Sequence, residues 1–242
     1  MSDRTAEAAG PTRRESALGV AGIGGGLLLI LALFVWLWIS RARDIDAAEQ
    51  FRGAFAVQGV PAGWSVTLSQ AVPDGLFDLH TEQRIVRLAR EGAAPDPEPA
   101  AAPAPPAAEP GAAPAKKVEW KKLAEAAPAG EPARLYFAWY DPTNGSQDVE
   151  AQLDSHRAVD YSMLGPKGGI VRLDAGKLRW GPFDADFVHE RLFEKGSFRD
   201  ALRVNLSRPG QFCVLNVLWR WGERGSRDSA LAVLGLFPPP AK

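Results

Sequence analysis

The stretch Phe183–Trp219, FDADFVHERLFEKGSFRDALRVNLSRPGQFCVLNVLW, decides the fold that the sequence predicts. Its first two runs alternate apolar and polar residues, the third is apolar almost throughout, and Lys195-Gly196 and Pro209-Gly210 separate the runs. Alternation with a period of two is typical of strands, whose successive side chains point to opposite faces. Glycine and proline between such runs are typical of turns. The stretch therefore predicts three consecutive strands.

The sequence on either side adds strands and a few helices. Residues 133–140, ARLYFAWY, are apolar on both faces, which favours a central strand. IVRLD and KLRWG predict a hairpin that turns at Asp174-Ala175-Gly176. Further strands are predicted at residues 64–69, 75–81 and 84–90, and helices at 45–53, 118–126, 146–164 and 226–237. This order predicts an α+β fold with a mostly antiparallel sheet flanked by two or three helices.

An Ala/Pro-rich segment at residues 93–116 divides this pattern. Almost every residue in it is Ala, Pro, Gly or acidic, so it has no apolar face and we expect it to be disordered. The piece before it is too small to form a stable domain alone. We therefore predict one domain built from residues 51–92 and 117–237, with the segment as an insertion.

The N-terminal part of the chain predicts a membrane anchor. Residues 17–40 contain no charged residue and would reach about 36 Å as a helix, enough to cross a bilayer core of about 30 Å. Gly22 and Gly26 form a GxxxG motif that favours weak homodimerisation of such helices. After a short tail at residues 1–16, we expect an uncleaved single-pass anchor in a bacterial inner membrane, with the domain in the periplasm. Arginines are equally frequent on both sides, so a cytoplasmic orientation stays open.

Three parts of the chain resemble a known family. They are GVPAGW at Gly59–Trp64, WGPFDADFV at Trp180–Val188, and the final strand and helix that contain QFCVLNVLWRW and SALAVLGLF. Their order is similar to that of the PsbP/DcrB-like α/β sandwich family. The resemblance implies an anchored extracytoplasmic accessory protein with a binding or assembly role. It implies no particular site residue.

The acidic run from residue 184 to residue 190 is the strongest candidate for chemistry. On a strand, Asp184, Asp186 and Glu190 share one face, whereas His189 points to the other. Three carboxylates without a histidine suit a hard cation such as Ca²⁺ or Mg²⁺. The simpler interpretation is an acidic face with partners such as Arg203 on the next strand. We favour the simpler one and predict no catalytic, cofactor-binding or metal residue.

The other reactive side chains give weaker signals. His80 alternates on a strand, His156 lies on the apolar stripe of a helix, and the single cysteine, Cys213, lies in an apolar strand as a buried thiol. No motif of a nucleotide-binding loop, a hydrolase or a zinc site occurs. A net charge of -1 argues against nucleic-acid binding.

These observations predict a binding or scaffolding protein without a chemical step. Its partners would be the membrane, through residues 17–40, and an envelope protein. Two alternatives stay open: a membrane-tethered metal-assisted hydrolase that uses the acidic run, and a regulatory protein that faces the cytoplasm.

Overall fold

The computed structural model describes residues 25–36, 42–73, 82–93, 119–143, 145–154, 160–165, 168–194 and 196–240. The helices within these ranges are α1 (residues 25–36), α2 (Ala47–Ala54), α3 (Trp120–Glu125), α4 (Gly145–Leu153) and α5 (Arg227–Leu234). The strands are β1 (Arg43–Asp44), β2 (Trp64–Pro73), β3 (Glu82–Arg90), β4 (Arg134–Tyr140), β5 (Gly169–Trp180), β6 (Phe183–Glu194), β7 (Ser197–Asn205) and β8 (Phe212–Leu218).

All eight strands belong to one sheet, and every neighbouring pair is antiparallel. The order across the sheet is β1-β2-β3-β4-β8-β7-β6-β5. Two runs of sequential strands, β1–β4 and β5–β8, therefore meet where β4 pairs with β8. This seam is the most apolar part of the sheet: the pairs Leu135↔Val217 and Phe137↔Leu215 are fully buried.

One face of the sheet carries the main core. Helices α2 and α5 cover it with Phe51, Val233 and Leu234, which pack against the inward side chains of β3, β4 and β6–β8. The centre is aromatic: the ring of Phe51 lies 5.1 Å from that of Phe137 and 5.5 Å from that of Phe237. Burying such large apolar rings provides much of the stability of a domain.

The opposite face, which we call the open face, has only partial cover from the described residues. Helix α4 packs there against β4 and β8 through Val149. Beyond α4, the same face continues over β7, β6 and β5 with a mixture of charged and apolar side chains. The alternation predicted for β6 is confirmed, since Ala185, Phe187 and His189 are turned to the core face while Asp184 and Asp186 are exposed.

The hairpin predicted at Asp174-Ala175-Gly176 is wrong. β5 runs through these residues without a turn and contains only a register shift between Arg172 and Asp174. The chain reverses at Gly181, whose φ of 58° lies in the left-handed region that glycine adopts without strain. The turn that Asp-Ala-Gly favours does not form, because the residues on both sides of it pair with β6, which is as long as β5.

The predicted fold class also needs correction. The described residues form a single antiparallel sheet in which strands dominate and helices are few and short. The predicted transmembrane helix over residues 17–40 is wrong as well. Among the described residues, no helix has the length and apolar character needed to cross a membrane.

Several expectations concern residues that lie outside the described ones. They include the N-terminal tail, Gly22 of the GxxxG motif, the strand at residues 75–81 and nearly all of the Ala/Pro-rich segment. The described strands on either side of that segment, β3 and β4, are direct neighbours in the sheet. The periplasmic location and the envelope partner stay predictions.

Candidate functional site

The acidic residues of β6 share one face, but each has a different environment. Asp184 and Asp186 are exposed, and each faces a cation of β5: Arg179 Nη1 lies 3.1 Å from Asp184 Oδ1, and Lys177 Nζ lies 3.9 Å from Asp186 Oδ1. Glu190, by contrast, is only 2% exposed. The described residues contain no group of three or more His, Cys, Asp or Glu side chains that converge on a metal position.

Glu190 is buried with only half of its carboxylate satisfied. Its Oε2 lies 3.0 Å from Nη2 of Arg203, the partner predicted from the sequence. Arg203 also donates from Nη1 to the carbonyl of Gln152, 2.7 Å away in the last turn of α4. Within the described residues, Glu190 Oε1 has no hydrogen-bond partner. A buried acceptor without a donor costs free energy, so this atom requires an explanation.

Glu190 lies in a groove of about 310 Å³ on the open face. We call it the open-face groove, and it crosses the strands from β4 to β5. Its lining residues are Tyr136, Ile170, Glu190, Leu192, Arg199, Ala201, Arg203, Asn216 and Leu218. The volume lies at the lower end of the range of about 300–1,000 Å³ that is typical of small-molecule sites.

The open-face groove combines apolar walls with a few polar groups. Ile170, Leu192 and Leu218 supply the apolar surface. Arg199 supplies a second guanidinium, whose carbon lies 4.6 Å from the ring centroid of Trp221. A guanidinium at this distance from an aromatic ring makes a favourable cation–π contact. One carboxylate and two guanidiniums therefore line the same small space.

Tyr136 adds a neutral donor at the rim. Its ring lies 5.1 Å from the guanidinium carbon of Arg87. Burial raises the pKa of Tyr136 above its ordinary value, and the nearby Arg87 only partly opposes this. The hydroxyl is therefore protonated at neutral pH and can donate a hydrogen bond. An apolar surface with a few fixed polar groups is the usual composition of a small-molecule site.

The core face contains a second polar cluster, which the sequence did not predict. Asp200 is fully buried and accepts two hydrogen bonds from Arg191, at 2.6 Å from Nε and 2.8 Å from Nη2. The backbone N–H of Gly225 donates to the same carboxylate at 2.7 Å, and Arg191 Nη1 donates to the hydroxyl of Tyr161 at 2.9 Å. The cluster thus joins β6 and β7 to the segment before α5.

His189 borders this cluster. Its Nε2 lies 3.9 Å from Oδ2 of Asp200, and its ring lies 5.7 Å from that of Trp219. Burial lowers the pKa of His189 below its usual value, although the negative charge of Asp200 opposes the shift. The imidazole is therefore neutral at neutral pH. We interpret the cluster as a structural brace, because the Asp200 carboxylate already accepts three short hydrogen bonds from the protein.

The remaining candidates from the sequence add no chemistry to the groove. His80 and His156 lie outside the described residues. Cys213 is fully buried, and burial raises the pKa of its thiol well above the ordinary value, so it is an unreactive thiol. Five of the six tryptophans beyond the N-terminal segment are buried: Trp64, Trp120, Trp139, Trp180 and Trp219.

Sequence reasoning missed the two arginines as a pair. In the register of β6 and β7, Ala201 lies opposite Glu190, and Arg199 and Arg203 lie two residues to either side of it. Diagonal neighbours of this kind are within reach of long side chains. The sequence feature that could have revealed this pair is the spacing of Arg199 and Arg203 around the small residue Ala201. Recognising it required the register between β6 and β7.

Comparison of the chain with protein-family models, with curated proteins and with solved structures found no match. The resemblance to the PsbP/DcrB-like family therefore stays a prediction.

Proposed function

We propose that this protein is a binding protein that holds a small molecule in the open-face groove, without a chemical step. The observation that carries the proposal is Glu190, which is 2% exposed and has one carboxylate oxygen without a partner in the described structure. A buried acceptor without a donor lowers stability, so a gain in function is a reason to keep it. A ligand that donates a hydrogen bond to Oε1 supplies the reason.

The surroundings of Glu190 support recognition. Arg203 fixes the carboxylate from one side and is itself fixed by the end of α4. Both side chains project from strands of a continuous sheet. Side chains on strands are held in position more precisely than side chains on loops. Preorganised groups lose little conformational entropy on binding.

The test is a fragment screen on the full chain and on two variants, each of which replaces one alanine by phenylalanine at a different position. Ala201→Phe places a ring inside the open-face groove, whereas Ala175→Phe places the same ring on an exposed alanine of the same face, outside the groove. We expect fragments that bind the wild-type chain and Ala175→Phe but not Ala201→Phe, as measured by ligand-observed NMR. Fragments insensitive to Ala201→Phe, or none at all, would overturn the proposal.

A further inference from the structure

We infer that the ligand of the open-face groove is an uncharged aliphatic alcohol. Its hydroxyl group donates a hydrogen bond to Glu190 Oε1, and its hydrocarbon chain lies against the aliphatic side chains of the lining. This inference rests on the proposed function and narrows it to a class of ligand. Its basis is the combination, in a groove of about 310 Å³, of a buried carboxylate oxygen without a partner in the described structure and an aliphatic wall.

The ligand must supply a hydrogen-bond donor. Glu190 is only 2% exposed, and within the described residues its Oε1 accepts no hydrogen bond. The other oxygen, Oε2, already lies 3.0 Å from Nη2 of Arg203. A carboxylate only accepts hydrogen bonds, so an ether or a ketone cannot satisfy Oε1, whereas an O–H or an N–H group can.

The charges of the lining favour a neutral donor. Glu190 is the single acid among the described residues that line the groove, and it already forms an ion pair with Arg203. An ammonium group would share this carboxylate with Arg203 and leave a positive charge in excess. A ligand carboxylate has no donor and would lie beside Glu190. A charge that leaves water without an opposite charge of its own is costly, so the donor should be uncharged.

A hydroxyl group also suits the neutral polar side chains of the lining. Asn216 of β8 lies opposite Arg203 of β7, and Tyr136 of β4 lies opposite Asn216. The carboxamide of Asn216 and the protonated hydroxyl of Tyr136 are both donors. Because a hydroxyl oxygen carries one proton and two lone pairs, the same atom can donate to Oε1 and accept from this row of side chains.

The apolar walls determine the rest of the ligand. Ile170, Leu192 and Leu218 are partly buried and line the groove. Ala201 lies between Glu190 and Leu218 in the register of the sheet, and its small side chain leaves space beside the carboxylate. A hydrocarbon chain placed here removes apolar surface from water. The small volume favours a chain of about eight carbons, so we use 1-octanol as the probe.

The experiment is a titration of the full chain, followed by saturation-transfer NMR, with 1-octanol and three analogues of similar length. The analogue 1-methoxyheptane lacks the donor, octylamine has a charged donor, and heptanoate has a negative charge and no donor. We expect 1-octanol to bind at least about tenfold more tightly than each analogue, because each lacks the donor or adds an unbalanced charge. Equal or tighter binding of 1-methoxyheptane or of octylamine would overturn the inference.

Two variants assign the contact to Glu190. Glu190→Gln should reduce the preference for 1-octanol over 1-methoxyheptane to about threefold or less, because a neutral acceptor makes a weaker hydrogen bond than a carboxylate. The matched control is Asp184→Asn, the same change at an exposed acid on the same face of β6, which should leave the preference unchanged. Circular dichroism establishes that the variants are folded. If Glu190→Gln is not, Glu190→Asp, which withdraws the carboxylate from the groove, should reduce the same preference.

The outcomes separate the inference from the proposed function. If 1-octanol fails to bind while other fragments occupy the groove and are excluded by Ala201→Phe, the ligand class is wrong and the binding function stands. If Ala201→Phe excludes nothing and 1-octanol does not bind, both are wrong. Retention of the full preference for 1-octanol in the Glu190 variant would also overturn the inference, since its hydroxyl group would then bind elsewhere.

Discussion

Asp200 shows how much a single buried charge can depend on its partners. Its carboxylate has no contact with solvent and accepts hydrogen bonds from Arg191 and Gly225. The buried charge could not be predicted from the sequence, because an acid at a core-facing position of a strand breaks the alternation that predicts the core. The ion pair forms because β6 and β7 place Arg191 directly opposite Asp200.

Removal of this charge should be costly. We expect Asp200→Asn to lower the free energy of unfolding by about 3–5 kcal/mol, because it leaves Arg191 buried without a counter-charge. Asp184→Asn, which disrupts the exposed pair with Arg179, should cost about 1 kcal/mol or less. Urea unfolding of both variants measures the difference. Similar losses in the two variants would contradict the role given to the buried cluster.

His189 should make stability depend on pH. Burial holds its pKa in the folded state below the ordinary value of 6.5, so the unfolded chain binds the proton more tightly. Stability is therefore complete above about pH 6.5 and declines as the pH falls toward the folded pKa. The groups that influence His189 are Asp200, Arg191, Asp174 and Glu190.

The matched variant is His189→Phe, which keeps a ring beside Trp219 and removes the titrating group. Urea unfolding of both proteins between about pH 7.5 and pH 5 isolates the contribution of His189 from that of the other titrating groups. We expect the wild-type chain to lose more stability over this interval than the variant. An equal or larger loss of stability in His189→Phe would contradict the lowered pKa of His189.

At the scale of elements, the strands were predicted better than their connections. The alternation in β6 was enough to place Asp184, Asp186 and Glu190 on one face and His189 on the other. The hairpin was misplaced because the sequence Asp-Ala-Gly favours a turn locally, while pairing along the whole of β6 favours a continuous strand. A single sequence contains the local preference but not the pairing energy.

Two glycines of β5 and its turn distinguish the predicted hairpin from the observed one. Gly181 has a φ of 58°, and a Cβ there would lie 2.5 Å from Cγ of Pro239. Gly176 is extended, and a Cβ there would lie 3.6 Å from its nearest neighbour, Cε1 of Phe187. We expect Gly181→Ala to cost about 1–3 kcal/mol and Gly176→Ala to be nearly neutral in thermal unfolding. If the chain turned at Gly176 instead, Gly176→Ala would be the more destabilising of the two substitutions.

At the scale of the whole molecule, composition did not predict the fold class, and the division of the chain at the Ala/Pro-rich segment stays a prediction. The Ala/Pro-rich segment was recognisable because proline and alanine provide no apolar face. Hydropathy alone predicts a membrane anchor, whereas the part of the chain that the structure describes contains no helix long and apolar enough to cross a membrane. The open-face groove was beyond sequence reasoning, because its residues come from five strands whose order is set by the pairing of β4 with β8.

The segment between β3 and α3 offers a test at this scale. We expect that cutting residues 94–118 to about half their length with a Gly/Ser linker changes the free energy of unfolding by no more than about 1 kcal/mol, because loop closure depends only on the logarithm of length. Urea unfolding measures this. The loss of a single cooperative transition would show that the segment contributes to the fold, contrary to the predicted insertion.

The central claim is that the open-face groove is a ligand site built around Glu190. A crystal structure of the full chain, soaked with a fragment that binds in solution, tests it most directly. We expect density for the fragment across β6 and β7, with a donor within hydrogen-bond distance of Glu190 Oε1. Fragments bound only elsewhere, with water as the partner of Oε1, would contradict it.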